Sequence, residues 1–386
     1  MKKTIFVSEF TPPVLEGIAI MLYNLFTFFP PGSVCMLTDD PAKRKSKKDE
    51  KLRLPFKHYI VRVPNFAFWF IRSSNVRSFL QYCWLPFILF KAFTIMLNEK
   101  IDNIFSLNTR GPYLVSAYFL HKITGKTLFV YMFDLWSKNP MNQVQEKIAL
   151  IFEKRILRAS KTVFVMSERL SDYYKKNYSV KSVVIHHSYI KEEVRKAELA
   201  VSLKDSKKYF DIVFTGVMNT DTLWLPIFRE ILRDLSSERI RLRLCVPCKD
   251  DVSINDKNII VESLNREDVL LVQKKADILF LPMVWSKYHP REIAQTASPS
   301  KLGEYLISGV PILVLAPKDS YISEYATRDG WALVVNNLNE ETLKNAILKL
   351  KNDSELRKSR VSNALKVAIN HDAEIQSAKV QKYLLN

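Results

Sequence analysis

Compact apolar runs alternate with amphipathic stretches along nearly the whole chain. In the first half, Thr4–Ser8, Val34–Thr38, Ile101–Leu107, Thr127–Met132, Lys161–Met166 and Ser182–His186 have the pattern of strands buried on both faces. Ile18–Phe29, Tyr113–Ile123, Val144–Ala159 and Glu168–Asn177 repeat apolar residues at helical spacing. Strand followed by helix, several times over, predicts a parallel sheet wrapped by helices. Lys191–Tyr209 is polar and reads as a linker, after which the pattern restarts. Strands are expected at Asp211–Gly216, Arg241–Val246, Asn258–Val261, Ile278–Leu281, Ile312–Leu315 and Ala332–Val335. Helices are expected at Leu223–Leu235, Arg266–Lys275, Tyr321–Arg328 and Glu340–Leu350, and Ser354–Ile369 and Ala373–Leu385 follow as two more. The expected fold is therefore α/β, with two similar halves, residues 1–190 and 210–371, facing each other across a cleft.

One segment departs from this regularity. Residues 65–97, NFAFWFIRSSNVRSFLQYCWLPFILFKAFTIML, crowd aromatic side chains around Arg72, Arg77 and Lys91. The charge-free part, Ser78–Phe90, is shorter than the ~20 residues of a membrane span, and Pro86 interrupts it. A helix or helix pair that packs on its own sheet and turns an aromatic, basic side to a membrane interface fits the segment. A large buried helix would have the same composition.

Charge strengthens the first alternative. The net charge of +18 is concentrated in residues 1–190, where 28 Lys and Arg face 13 Asp and Glu, a difference of +15; the remaining 30 against 27 give +3. Such a half suits an anionic surface, either nucleic acid or the inner leaflet of a membrane. No nucleic-acid-binding motif accompanies the charge, so nucleic acid is not an expected partner. The 386 residues hold four cysteines, too few for a disulfide framework, and a cytoplasmic location is expected. Cys245-Val-Pro-Cys248 ends an apolar run and has no second pair to complete a metal site. Met1-Lys2-Lys3 runs straight into a strand, then into Glu9 and Pro12-Pro13, unlike a signal peptide.

Candidate chemistry collects at the ends of the strands, where ligands of open α/β sheets sit. Glu9 and Phe10 lie in the loop that leaves the first strand, and Glu16 and Gly17 stand where a helix would begin. The glycine there fits either close approach to a ligand or a simple turn. Asp134 and Trp136 follow another strand; the aspartate is a candidate base or acceptor partner, and equally a helix cap. The densest stretch is Ser298-Pro299-Ser300-Lys301-Leu302-Gly303-Glu304. Ser298 is expected to cap a helix whose start offers backbone donors, Ser300 and Lys301 to an anion, with Glu304 one turn behind to accept from two ribose hydroxyls. An ordinary capped helix ending at Gly309 is the competing interpretation.

SPSKLGEYLISGVPIL resembles the donor-site motif of glycosyltransferase family 4, P-x-K-x-x-E-Y-x-x-x-G-x-P-V, in enzymes of the GT-B fold. FVSEFTPPVLEGIAI resembles their N-terminal loop, FDLWS the D-L-W-P segment of bacterial capsule and O-antigen members, and VFVMSERLSDYY the segment before their linker. The resemblance implies two Rossmann-like domains, with residues 372–386 returning as a helix to the acceptor-binding N-terminal domain. It implies that Glu304 holds the donor ribose, that Ser298, Ser300, Lys301 and Leu302 hold the diphosphate, and that Gly216 borders the donor. Asp134 would act on the acceptor, beside Glu9, Phe10, Glu16, Gly17 and Trp136. Thr296 stands where the family carries a second glutamate, and Gly216-Val217-Met218-Asn219-Thr220 where it tends to carry a basic pair. Lys287 and Arg291, and more distantly Lys249, are candidate substitutes for that charge.

The implied activity is transfer of a sugar, with retention, from a UDP- or GDP-sugar to a glycan or polyprenyl-linked acceptor in cell-surface polysaccharide synthesis. It needs neither a metal nor a cofactor beyond the donor, and would take place on the cytoplasmic, anionic inner face of the membrane. The rivals are a nucleotide-sugar epimerase of related fold, a degenerate transferase, and a basic membrane- or nucleic-acid-binding protein without catalysis.

Overall fold

A computed structural model of the chain describes residues 1–43, 48–63, 71–109, 111–201, 208–218, 223–246, 254, 256–283 and 290–385. Strands β1 (Thr4–Ser8), β2 (Val34–Asp39), β3 (Lys57–Val61), β4 (Asn103–Leu107), β5 (Thr127–Met132), β6 (Thr162–Val165) and β7 (Ser182–Val184) form one parallel sheet in the order β3-β2-β1-β4-β5-β6-β7. Strands β8 (Phe210–Thr215), β9 (Ile240–Cys245), β10 (Ile259–Glu262), β11 (Ile278–Pro282), β12 (Ile312–Leu315) and β13 (Ala332–Val335) form a second, in the order β10-β9-β8-β11-β12-β13. Each sheet reverses its winding beside its first strand, between β1 and β4 and between β8 and β11. Crevices open at the carboxyl ends of such switch points. Helices cover both faces of each sheet, and the inner strands are buried at almost every position, which is why they appear as unbroken apolar runs.

Three elements differ from the expected pattern. Strand β3 lies at a sheet edge and is half exposed, so it lacks the apolar continuity of the other strands. The polar linker begins as a helix, Lys191–Val201, whose Val194 and Ala197 pack on helix Arg266–Lys275. Good helix formers and two acidic residues in its first turn favour that state. A six-residue helix, Arg291–Thr296, occupies what the sequence suggested was loop.

The aromatic segment forms two nearly continuous helices, Ser74–Tyr82 and Leu85–Asn98. Its inward residues Ile88, Ala92, Ile95 and Met96 join the core of the first domain, while Phe79, Phe87, Phe90 and Leu97 face outward. Residues 65–70 of the segment lie outside the described residues.

The final helix, Ala373–Leu384, crosses back as expected. Val380 and Leu384 complete an aromatic core with Phe6, Phe26, Phe105 and Phe164, and Tyr383 packs edge-on to Phe164 at 5.7 Å. Asn103 donates to the Leu384 carbonyl and Gln381 to the Phe28 carbonyl. The chain therefore passes between domains twice, near Tyr189 and near Asp372, and the two passages are bonded by Tyr189 N–H to His371 O and Ala373 N–H to Tyr189 O.

Three histidines surround these passages. His371 donates from Nδ1 to the His187 carbonyl at 2.7 Å and accepts the Tyr325 hydroxyl at Nε2, while His187 Nε2 donates to the Ser298 carbonyl at 3.1 Å. His186 lies 3.5 Å from Glu168 and 4.8 Å, ring to ring, from His371. Burial holds all three neutral, lowering His186 to about 4 and His187 and His371 to about 3. The unfolded chain binds protons on these imidazoles below about pH 6.5, whereas the folded chain refuses them until about pH 4 or lower. Stability should fall as pH drops from 6.5 to 5, by up to about 1.4 kcal/mol per pH unit for each imidazole, before most carboxylates titrate. Thermal unfolding across that range tests this, and a melting temperature independent of pH would contradict it; His371→Gln should flatten the slope.

Candidate functional site

A cleft of about 730 Å³ separates the two domains, within the range of small-molecule sites. Glu9, Phe10, Glu16, Gly17, Asp134 and Trp136 all line it, so the expected acceptor-side residues are gathered on one wall. Asn139 donates to Asp134 Oδ2 at 2.9 Å, and the Asn108 amide donates to the Asp134 carbonyl while accepting from Phe133 N–H. The loop that carries Asp134 is held from below by a residue the sequence did not single out. Glu153 is buried and accepts from Trp136 N–H and from the hydroxyls of Ser137, Tyr174 and Tyr178. Burial raises its pKa, and those donors oppose the rise.

The opposite wall includes Ser298, Ser300, Val217, Met218 and Val246, with His187 at the hinge. Gly17 lies so close to this wall that an added Cβ would come within 2.7 Å of Ser300 Oγ. The close approach expected at this glycine is made to the other domain.

The helix that carries the donor motif is Leu302–Ile307, shorter and later than expected, and Ser298 does not cap it. Leu302 N–H bonds to the Pro299 carbonyl, which closes a turn in place of the anticipated cap and removes one of the expected free donors. Ser298 Oγ and His187 Nδ1 are buried without a partner among the described residues. The Leu302 side chain belongs to the core of the second domain, as its position opposite Ser300 and Glu304 implied.

Lys301 is partly buried. Its ammonium sits 3.8 Å from the centroid of the Phe214 ring, a cation–π contact, and has no ion-pair or hydrogen-bond partner among the described residues. Desolvation lowers its pKa to about 7, against a small opposing pull from Glu304. Gly216 makes room for this ammonium: its φ of +125° favours glycine, and an added Cβ would lie 2.8 Å from Lys301 Nζ. Tyr305 ties the two elements together, its hydroxyl accepting from Thr215 N–H at 3.0 Å. Val217, the residue after Gly216, forms part of the cleft wall.

Glu304 is buried and already engaged. Its Oε1 accepts from Arg266 at 2.6 Å and its Oε2 from Gln273 at 3.2 Å. Arg266 also bridges to Glu193 of the linker helix at 3.0 Å, so one guanidinium holds two carboxylates. No pattern along the chain pointed to Arg266, which lies in a different element from both of its partners.

Of the candidate substitutes for the missing basic pair, Arg291 alone is among the described residues. Arg291 is exposed, pairs with Asp319 at 2.5 Å and is not among the residues that line the cleft. Thr296 turns its hydroxyl back to the Glu292 carbonyl, and its own carbonyl accepts from Ser167 of the first domain. Lys287 and Lys249 lie outside the described residues. No group of three or more metal-ligating side chains occurs among the described residues, and burial raises the Cys245 thiol to about 12, which keeps it protonated.

No protein-family model matches the sequence, and no curated protein matches it either. Solved structures do. Sucrose-phosphate synthase of Thermosynechococcus elongatus superposes with a TM-score of 0.69 at 13% identity, over 99% of this chain and 98% of that one. HepE of Anabaena, solved with UDP-glucose, gives 0.68 at 12% identity over 100% and 99%. A Listeria monocytogenes protein described as a UDP-N-acetylglucosamine 2-epimerase gives 0.58 at 13% identity over 98% and 95%. The fold is GT-B: two parallel-sheet α/β domains facing a central cleft, with the last helix crossing back.

Arg266→Leu would leave Glu193 and Glu304 buried without their cation, at an expected cost of about 3–5 kcal/mol in urea unfolding. Combining it with Glu304→Gln should recover part of that loss. Equal stability of the single and double variants would show that the two residues are not coupled.

Proposed function

We propose that the protein is a glycosyltransferase that moves a sugar from a nucleotide-sugar donor, with UDP or GDP as the nucleotide, to a glycan or lipid-linked acceptor. The observation that carries this reading is the Lys301 ammonium, which has no ion-pair or hydrogen-bond partner among the described residues and lies against Gly216 at the carboxyl end of β8. A desolvated cation without a counter-ion favours an anion, and in the transition state of transfer negative charge grows on the departing diphosphate. Ser300 lies on the same wall, and Glu304 retains acceptor capacity for the ribose beyond the two bonds it makes, since a carboxylate offers about four lone-pair sites.

The facing wall supplies Glu9, Glu16 and Asp134, carboxylates suited to accept from sugar hydroxyls, with Asp134 as the acceptor-side catalytic group. Retention by attack on the face of the leaving group, a role in cell-surface polysaccharide synthesis, and independence of metal and cofactor complete the proposal. The GT-B likeness, including a neighbour solved with UDP-glucose, supports it. Epimerisation of a nucleotide sugar is the second reading, favoured by the likeness to the Listeria protein described as an epimerase.

The free protein holds Lys301 near its titration point at neutral pH, and a bound diphosphate favours the protonated form. UDP or GDP should therefore bind with uptake of a proton above pH 7, and affinity should fall by up to about tenfold per pH unit as pH rises from 7 to 9. Calorimetry in buffers of different ionisation enthalpy measures both effects. Lys301→Met should weaken binding and remove the proton uptake; unchanged affinity would exclude the diphosphate assignment. Release of nucleoside diphosphate only when an acceptor is present favours transfer, and donor conversion without acceptor favours epimerisation.

A further inference from the structure

Helices Ser74–Tyr82 and Leu85–Asn98 present an outward ridge that none of the described residues covers. Val76, Phe79, Phe87, Phe90, Phe93 and Leu97 recur at helical spacing along it, and Phe90 and Leu97 are 70% and 63% exposed. Single exposed apolar residues are ordinary, but a contiguous aromatic ridge marks an interaction surface. Its charge is one-sided: residues 71–98 contain Arg72, Arg77 and Lys91 and no Asp or Glu. Arg72 and Arg77 are exposed and have no ion-pair partner among the described residues. Helix Gln143–Ala159, whose N-terminal end binds Ser78 through Asn142 and Gln145, continues the theme with exposed Lys147, Leu150, Ile151, Lys154 and Arg155.

We propose that this ridge is the surface by which the protein lies on an anionic lipid bilayer, its aromatic residues at the boundary between headgroups and acyl chains and Arg72 and Arg77 among the lipid phosphates. Apolar ridge and unpaired cations together match the two attractions such a surface offers, and the inner face of the cell membrane has that chemistry.

The 25 residues Ser74–Asn98 are long and apolar enough to cross a membrane. The fold places them differently. Ile88, Ala92, Ile95 and Met96 are locked in the core of the first domain, and Glu99, just past the second helix, binds Lys3, Lys57 and Tyr59 of the underlying sheet. Crossing would pull those core residues out, whereas lying flat leaves every buried contact in place.

The first helix turns Phe79 outward, while Gln81, on its opposite side, lines the cleft. A bilayer docked on the ridge therefore lies one helix away from the acceptor wall, within reach of a lipid-anchored acceptor. This corollary rests on the transferase reading; docking itself does not.

The test is sedimentation of the full chain with sucrose-loaded vesicles of phosphatidylcholine alone or mixed with phosphatidylglycerol. Binding to the mixed vesicles is expected, weaker in high salt. Phe87→Ser with Phe90→Ser should reduce partitioning more than tenfold, and Arg72→Gln with Arg77→Gln by about thirtyfold. All these variants should keep the circular dichroism spectrum and UDP affinity of the parent, which separates loss of docking from misfolding and from failure of the nucleotide assignment. Absence of binding to the anionic vesicles, or binding that the substitutions leave unchanged, would overturn the proposal. So would a dimer in solution that Phe87→Ser with Phe90→Ser dissolves while vesicles are ignored, because the ridge would then belong to a second copy.

Discussion

Helix Leu302–Ile307 lies backbone against backbone on the chain at His187–Ser188, and it can do so because residue 303 has no side chain. A Cβ there would come within 2.8 Å of the His187 carbonyl oxygen and 3.1 Å of the Ser188 carbonyl carbon, both backbone atoms with little freedom to yield. The same stretch of chain receives the Asn24 amide at the Ser188 carbonyl and gives the His187 ring to the Ser298 carbonyl. Both walls of the cleft are thereby referenced to one short segment. The positions of Lys301 and Glu304 relative to Asp134 follow from that contact.

Around it the protein treats buried charge in two ways. Arg266 is enclosed completely but answered by two carboxylates, so its charge is satisfied and its geometry fixed. Lys301 has the Phe214 ring against its ammonium and no carboxylate partner among the described residues, and desolvation lowers its pKa. The first arrangement fastens the linker helix to the donor motif. The second suits the proposed diphosphate site, since a permanent counter-ion would compete with an anionic ligand.

The strands were legible because parallel sheets covered on both faces leave continuous apolar runs, and β5 and β13 begin and end where the pattern put them. Strand β3 was not, because one side of it meets solvent. Helix Lys191–Val201 was obscured because charged residues outnumber the Val194 and Ala197 that dock it. At the site, the motif around Glu304 was legible as residues, but the environment was not: neither Arg266, 38 positions away, nor the Phe214 ring against the Lys301 ammonium leaves a local trace. The expected Ser298 cap lost to a turn closed by the Pro299 carbonyl, a competition between neighbouring acceptors that residue preferences do not resolve. For the aromatic segment, composition could not separate a buried helix from a docked one, because only tertiary placement decides which side of a helix faces out.

The returning helix Ala373–Leu384 bears on how the chain is made. The aromatic core of the first domain includes Val380 and Leu384, residues translated after the whole second domain. On the ribosome the first domain can form its sheet early, yet the groove between Phe6, Phe26 and Phe164 stays open until residue 384 has emerged. Vectorial synthesis thus yields an intermediate with exposed aromatic surface and a complete second domain already beside it. Completion of the first domain waits on residues translated after the second, and the interval before it is when a chaperone would have a binding surface.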